Sequence, residues 1–353
     1  MDSRKTILLL PVAIVVFISG CTSPICLPFL PCDNIVEYED DIVIIKSLDA
    51  LPQTVSPGQQ IRLIAYIQNL GKDPVPQKEG QSKLTKITGE SQKILVNLYD
   101  YCKGLFSDVK VSCDGSQPQD CSKEEQCKCS IGELLPGQVK EIDWTLKAGS
   151  SEQVPLRTEC DLKVSVTYPY KTTSLTEISF IDYAEMQNRL NEGTFRKKES
   201  YIVSGYGPVK PWITVEDQQP IPVQQGQKGR TVISLQIKNS GSGYLCRLND
   251  TLGSTVVCDS KIPKGNVEVS GIGGESRLEY VTGGTCTLES SGSYASPKND
   301  VTLIKKESPP LLCEIELKED VNLPKETTKY VTTTAEYLYE FRKEIKVIIE
   351  PKI

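Results

Sequence analysis

The stretch Thr231-Val-Ile-Ser-Leu-Gln-Ile-Lys-Asn-Ser-Gly241 matches Ile61-Arg-Leu-Ile-Ala-Tyr-Ile-Gln-Asn-Leu-Gly71 position by position. Ile233, Leu235 and Ile237 stand where Leu63, Ala65 and Ile67 stand, and Asn-x-Gly closes both. Apolar residues at every second position read as a half-buried strand, because successive strand side chains point to opposite faces. Further on, Thr334-Ala-Glu-Tyr-Leu-Tyr339 echoes Val166-Thr-Tyr-Pro-Tyr170, and Ile345-Lys-Val-Ile-Ile349 echoes Ile178-Ser-Phe-Ile181. The landmarks keep their order at an offset of about 170 residues (239 − 69 and 337 − 168). Two units make a tandem pair rather than a solenoid.

Between these landmarks, Thr, Val, Ile and Tyr recur in short runs bounded by Gly and Pro, the pattern of an all-β protein. Ser56-Pro-Gly58 and Pro136-Gly137 are turns that feed strands. The first β domain is expected over 42–181 and the second over 211–353, with loops at 72–92, 103–130 and 259–300. A helical linker joins them over 182–210. Asp182 is its N-cap and Glu185 completes a capping box, while Tyr183, Met186 and Leu190 fall at helical spacing before a stop at Gly193. The basic cluster Arg196-Lys-Lys198 reads as a solvated face.

Thirteen cysteines and no histidine narrow the chemistry. With Cys21 set aside, the rest fall into even groups. Cys26 and Cys32 lie near the N-terminus. Cys102, Cys113, Cys121, Cys127, Cys129 and Cys160 lie in the first half, and Cys246, Cys258, Cys286 and Cys313 in the second. All twelve are disulfide candidates, and their connectivity stays open within each group. Cys127-Lys-Cys129 invites a zinc reading, but the usual Cys-x-x-Cys knuckle and histidine ligands are both missing. Disulfides are the expectation, with Cys127 and Cys129 bonded to different partners, and no metal or cofactor is expected.

The N-terminus supplies an address. Arg4 and Lys5 precede an apolar run from Ile7 to Ile18 and then Ser19-Gly20-Cys21, the layout of an export signal. The run is shorter than the roughly 20 apolar residues of a comfortable membrane span. Ile18-Ser19-Gly20-Cys21 resembles the lipobox of prokaryotic lipoproteins. That resemblance implies a signal peptide over 1–20 and a lipidated Cys21 at the head of a Pro/Cys-rich tether, 21–41. Cleavage removes a net +1 from a formal charge of -6 and leaves -7. A mildly acidic chain without a basic block is a poor partner for nucleic acid.

The Pro-Gly turn, alternating strand and closing Asn-x-Gly at 55–71 and 225–241 are similar to the CARDB and related immunoglobulin-like β-sandwich domains of exported prokaryotic, especially archaeal, surface proteins. The resemblance implies two tandem immunoglobulin-like sandwiches with one short linking helix, in a module for adhesion, assembly or display.

Other candidates have plainer readings. The acidic run Glu37-Tyr-Glu-Asp-Asp41 lacks the spaced pattern of a calcium loop and is expected at a solvated strand edge. Tyr168 and Tyr170, like Tyr337 and Tyr339, share a strand face, and their recurrence favours packing over ligand binding. Asn249-Asp-Thr251 is a glycosylation sequon in an expected loop. The glycine-rich piece Val269-Ser-Gly-Ile-Gly-Gly-Glu lacks a P-loop's Lys-Ser/Thr and reads as a flexible loop. No catalytic residue stands out, since histidine is absent and no nucleophile elbow or cofactor fingerprint occurs. The expected function is non-enzymatic: a lipid-anchored protein on the outer face of the cytoplasmic membrane, structural or adhesive, with a protein or glycan partner. The alternative is an envelope ligand- or metal-binding lipoprotein using the Cys-rich loop 102–129.

Overall fold

The computed structural model describes residues 40–77, 93–122, 127–249, 255–272, 277–281, 286–291, 294–317 and 325–351. The signal 1–20, Cys21, Cys26, Cys32, nearly all of the tether and most of loop 72–92 lie outside the described residues.

The protein is all-β. The first half runs β1 (Val43–Leu51), β2 (Thr54–Val55), β3 (Gln60–Asn69), β4 (Ile94–Asp100), β5 (Phe106–Cys113), β6 (Gln119–Asp120), β7 (Cys127–Ile131), β8 (Val139–Ala148) and β9 (Thr158–Asp182). The helix α1 (Tyr183–Asn191) follows. After it come β10 (Ile202–Ser204), β11 (Val209–Val215), β12 (Ile221–Val223), β13 (Arg230–Asn239), β14 (Tyr244–Asn249), β15 (Thr255–Val257) and β16 (Lys261–Ile262). The chain ends with β17 (Val267–Ser270), β18 (Leu278–Tyr280), β19 (Leu288–Ser291), β20 (Tyr294–Pro297), β21 (Val301–Thr302), β22 (Leu311–Leu317) and β23 (Glu326–Ile349).

Two small sheets, β1-β3-β8-β5-β6 and β11-β13-β22-β18, accompany one twelve-stranded sheet with the path β19-β20-β17-β23-β9-β4-β7. At its centre β9 and β23 pair antiparallel without a break from Thr158↔Ile349 to Ile181↔Glu326. Every even residue of β9 from Cys160 to Phe180 is buried, as are the odd residues of β23 from Val331 to Phe341. This face carries both small sheets. Tyr168 Oη accepts from Ile42 N at 3.4 Å just ahead of β1, and Thr176 Oγ1 donates to the Ile213 carbonyl of β11 at 3.1 Å.

The long strands redistribute the two halves. Residues 158–170 of β9 lie under the first small sheet, beside 337–349 of β23. The remainder of β9 lies under the second small sheet, beside 326–335 of β23. The short parallel strands show the exchange. β2, from the first half, pairs with the end of β23, and β12, from the second, with the end of β9. The first lobe is thus 40–170 closed by the last part of β23, and the second is the continuous stretch 171–340, in which β14 pairs with 338–340 of β23. The expected division at 181 and 211 does not separate the sheets, and 182–210 is not a free linker, because β10 joins β9 at Ser174–Thr176. The cause is local. Tyr170-Lys-Thr-Thr173 and Tyr339-Glu-Phe-Arg342 contain no Gly, Asn or Asp, so neither strand can reverse in a tight turn. Pro169 fits inside β9 because the pairing with β4 has ended at Thr167 and that with β10 begins only at Ser174.

Several expectations are corrected. The region 103–130 carries β5, β6 and β7, and 259–300 carries β16 to β20. A bulge between Ser107 and Lys110, with Asp108 at φ 49°, breaks the two-residue period of Phe106, Val109 and Val111 and hides the strand from pattern reading. Helix α1 starts at the expected N-cap, with Asp182 accepting from Glu185 N at 3.1 Å and Gly193 at φ 66° past its end. The return bond of a capping box is replaced by Asp182 N donating to the Lys325 carbonyl at 3.1 Å. No residue of α1 is buried. Ion pairs hold it instead, from Arg189 to Glu185 at 2.8 Å and to Glu326 at 2.7 Å.

Candidate functional site

The Cys-rich end of the first lobe carries a surface groove, a polar depression of about 720 Å³ on the outer face of the five-stranded sheet. Alternation places Asp143 and Thr145 of β8 there, with Gln60 of β3 and Lys110 and Ser112 of β5. Asp108 reaches it from the bulge, Asp120 from the end of β6 and Ser122 from the turn after it.

Disulfides hold this turn. Cys113 bonds to Cys129, and Cys121 to Cys127, tying the β5–β6 side of the groove to β7. Cys102 bonds to Cys160 and pins the end of β4 to β9. Cys127 and Cys129 therefore face different partners. In the second lobe Cys246 pairs with Cys258 and Cys286 with Cys313. All ten described cysteines are bridged, and every bridge stays within its half of the sequence. No thiolate remains in loop 102–129, so oxygen atoms are the donors it can offer a cation. Cys246, Cys258 and Glu340 also lie together, but the bridge occupies both sulfurs.

The groove's charges are mostly spoken for. Arg62 pairs with Asp143 and with Glu141, the latter at 3.1 Å, and the carboxylates raise the guanidinium's pKa, with the Asp143 hydrogen bond the largest contribution. Asp108 pairs with Lys147 at 3.9 Å. Asp120 accepts from Ser122 N at 2.9 Å and from Ser122 Oγ at 2.6 Å, a closed local turn. Such a surface can hydrogen-bond a polar ligand. Among the described residues it pairs no nucleophile with a base.

The second constellation is the tyrosine quartet on the β9–β23 ladder. Tyr168 faces Tyr339 and Tyr170 faces Tyr337 across the pair Pro169↔Leu338. The sequence repeat carries Tyr168 to Tyr337 and Tyr170 to Tyr339, so each tyrosine pairs across the ladder with the counterpart of its neighbour. Rings meet edge to face, with centroids 5.8 Å apart for Tyr168 and Tyr339 and 6.3 Å for Tyr337 and Tyr339. Tyr337 Oη shares a hydrogen bond with Thr172 at 2.7 Å and accepts from Val209 N at 3.3 Å, the counterpart of Tyr168 with Ile42. Tyr339 donates to Asn239 Oδ1 at 3.1 Å and accepts from Gly243 N at 2.8 Å. Burial raises the pKa of Tyr168, Tyr337 and Tyr339 well above the usual value, and burial with the nearby Asp73 charge pushes Tyr170 to about 12. All four stay neutral under ordinary conditions and serve packing.

Asp41, expected at a solvated edge, is buried there and accepts from Ser242 N at 3.2 Å as well as from Ser242 Oγ, while Asp40 pairs with Lys210. The loop that covers it comes from the second half, which no local pattern reveals. A Cβ on Gly241 would sit 2.4 Å from Asp41 Oδ1 and from Tyr339 Oη, so this close approach requires glycine. Asn249 stands at the end of β14, paired with Thr255, rather than in a loop. Of the glycine-rich piece, Val269 and Ser270 belong to β17, and 273–275 lie outside the described residues.

No protein-family model matches the chain, and no curated protein does. Among solved structures, a partial likeness is to one described as "AvmM Catalyzes Macrocyclization in Alchivemycin A Biosynthesis", 10% identical over 36% of this chain and 72% of that one. Its TM-score of 0.22 is too low to carry an argument. Among the described residues, no helix is long and apolar enough to cross a membrane.

Proposed function

We propose that the protein is a non-enzymatic surface module of the cell envelope, exported by residues 1–20, lipid-anchored at Cys21 and built of two immunoglobulin-like sandwiches that hold or present a partner-binding face. The observation that carries this reading is the bridging of every described cysteine. Disulfides persist where the surroundings are oxidising, which is outside the cytoplasm. A tyrosine-filled, disulfide-tied double lobe suits a load-bearing or displaying role, and the groove by Asp108, Asp120 and Asp143 is its readiest contact for a protein or glycan.

The test is intact mass spectrometry of the protein extracted from membranes of its own source. A mature chain beginning at Cys21 with added acyl mass, recovered in the detergent phase, is expected. An unmodified Cys21 in the aqueous phase would overturn the anchor. Thiol titration of the denatured, unreduced protein checks the compartment independently, with none of the ten cysteines expected to react.

A further inference from the structure

Residues 194–198 join helix α1 to the rest of the second lobe, and they carry the basic run Arg196-Lys-Lys198. The described chain has two other adjacent basic pairs, and both are locked. Lys305 and Lys306 form the tight turn closed by Ile304↔Glu307, both at positive φ, and Arg342-Lys343 lies in the β23 ladder. Residues 196–199 are exposed, and Arg196 and Lys197 belong to no strand or helix. The Arg196 guanidinium reaches only carbonyls of its own loop, Gly193 and Phe195, both at 3.3 Å. Endopeptidases act on exposed loops they can draw into extended form. One that selects Arg or Lys has an accessible bond here.

A cut at this point would leave a particular product. Residues 40–196 retain the part of β9 that completes the second lobe, and 197–351 retain the part of β23 that completes the first. No disulfide of the described residues joins the two pieces. The β9–β23 ladder spans them through 24 consecutive residues of β23, and the short pairings β2–β23, β10–β9 and β12–β9 cross between them as well. We infer that the Arg196–Lys197 bond is a processing site for a basic-specific endopeptidase, and that the cut protein persists as a non-covalent two-chain molecule locked by its exchanged strands. The reaction is hydrolysis: the amide C–N bond breaks, and water gives its hydroxyl to the Arg196 carboxyl and its proton to the Lys197 amine. The inference does not depend on where the protein resides.

The test is limited digestion of the purified, unreduced full-length chain with trypsin, followed by intact mass measurement and size-exclusion chromatography. The first cut is expected at 196–198, with both pieces co-eluting at the position of the uncut protein and separating in denaturant without reductant. R196Q/K197Q/K198Q should remove that first cut while leaving the circular dichroism spectrum unchanged. A first cut elsewhere would overturn the processing site. Pieces that separate under native conditions would overturn the interlock.

Discussion

The two lobes use one strand motif in different ways. In the first, Asn69 Nδ2 donates to the carbonyls of Asp73 and Leu134, at 2.9 and 2.8 Å, stitching its strand to the turn before β8. In the second, Asn239 Nδ2 donates to the Gly243 carbonyl at 3.0 Å, and its oxygen accepts from Tyr339 on the shared ladder. Two inner bonds are common to both. Each asparagine oxygen accepts from the glycine two residues on, at 2.8 Å in the first lobe and 3.1 Å in the second. Each Nδ2 donates to the carbonyl four residues on, so the lobes differ in Leu134 and Tyr339. The Asn-x-Gly signature therefore fixes a local turn, while the outer partners depend on what the fold brings near. The first lobe is also discontinuous in sequence and carries three bridges, against two in the continuous second lobe.

That asymmetry has consequences, the largest being for truncation. Deleting 341–353 strips Phe341, Val347 and Ile349 from the first lobe, each worth about 1.5–3 kcal/mol of burial, and leaves the β14 pairing at 338–340 in place. Together with the lost ladder this rivals a typical domain's whole stability of about 5–15 kcal/mol. Limited proteolysis should find residues 40–170 digested and 171–340 resistant. A first lobe that stays resistant would break the exchange. The converse joins 170 to 337 through Asn-Gly, which should give a folded single lobe with one cooperative transition.

Bridges come next. The Cys102–Cys160 link spans 58 residues and Cys121–Cys127 only 6. Under the chain-entropy account, C102S/C160S should cost about 4 kcal/mol and C121S/C127S about 2 kcal/mol in urea denaturation. Equal losses would show that native packing, rather than loop length, sets the contribution.

The tyrosines sharpen the comparison further. Y339F removes two hydrogen-bond partners at a buried site and should cost about 1–3 kcal/mol, whereas Y168F removes one long contact and should cost less than about 1 kcal/mol. Equal losses would make the two sides of the quartet equivalent, and a reversed order would overturn the assignment of the stronger bonds to Tyr339. Buried phenols also predict alkaline instability. A raised folded pKa keeps the proton on the folded form, so the Tyr170 contribution is complete below pH ~10 and is lost as pH rises towards about 12. The melting temperature should therefore fall above pH ~10, and less steeply in Y170F.

The smallest effect is at α1. Hydrogen bonds from Lys198 and then Arg189 lower the Glu326 pKa, so its contribution is present above its unfolded value and lost as pH falls through the folded one. The pair is partly exposed, and E326Q should cost less than about 1 kcal/mol at neutral pH.

Reading the chain residue by residue recovered the parts whose cause is local. The N-cap at Asp182, the Pro-Gly turn before β8 and the alternation of β3 and β13 are all set by neighbours in sequence. Strand β5 escaped because its bulge shifts the period, and the fate of Asp41 because Ser242 lies 201 residues away. The groove escaped too, since it gathers residues from β3, β5 and β8 that share no spacing.

By itself, then, the sequence determined that the chain is all-β and rich in cysteine, because alternation and composition are properties of short stretches. It even held the negative clue to the exchange, the want of any turn residue between Tyr170 and Thr173. Only the tertiary structure decided where those unturned strands go. A strand's hydrogen-bonding edge accepts any partner with a matching face, and the two repeats match each other as well as themselves.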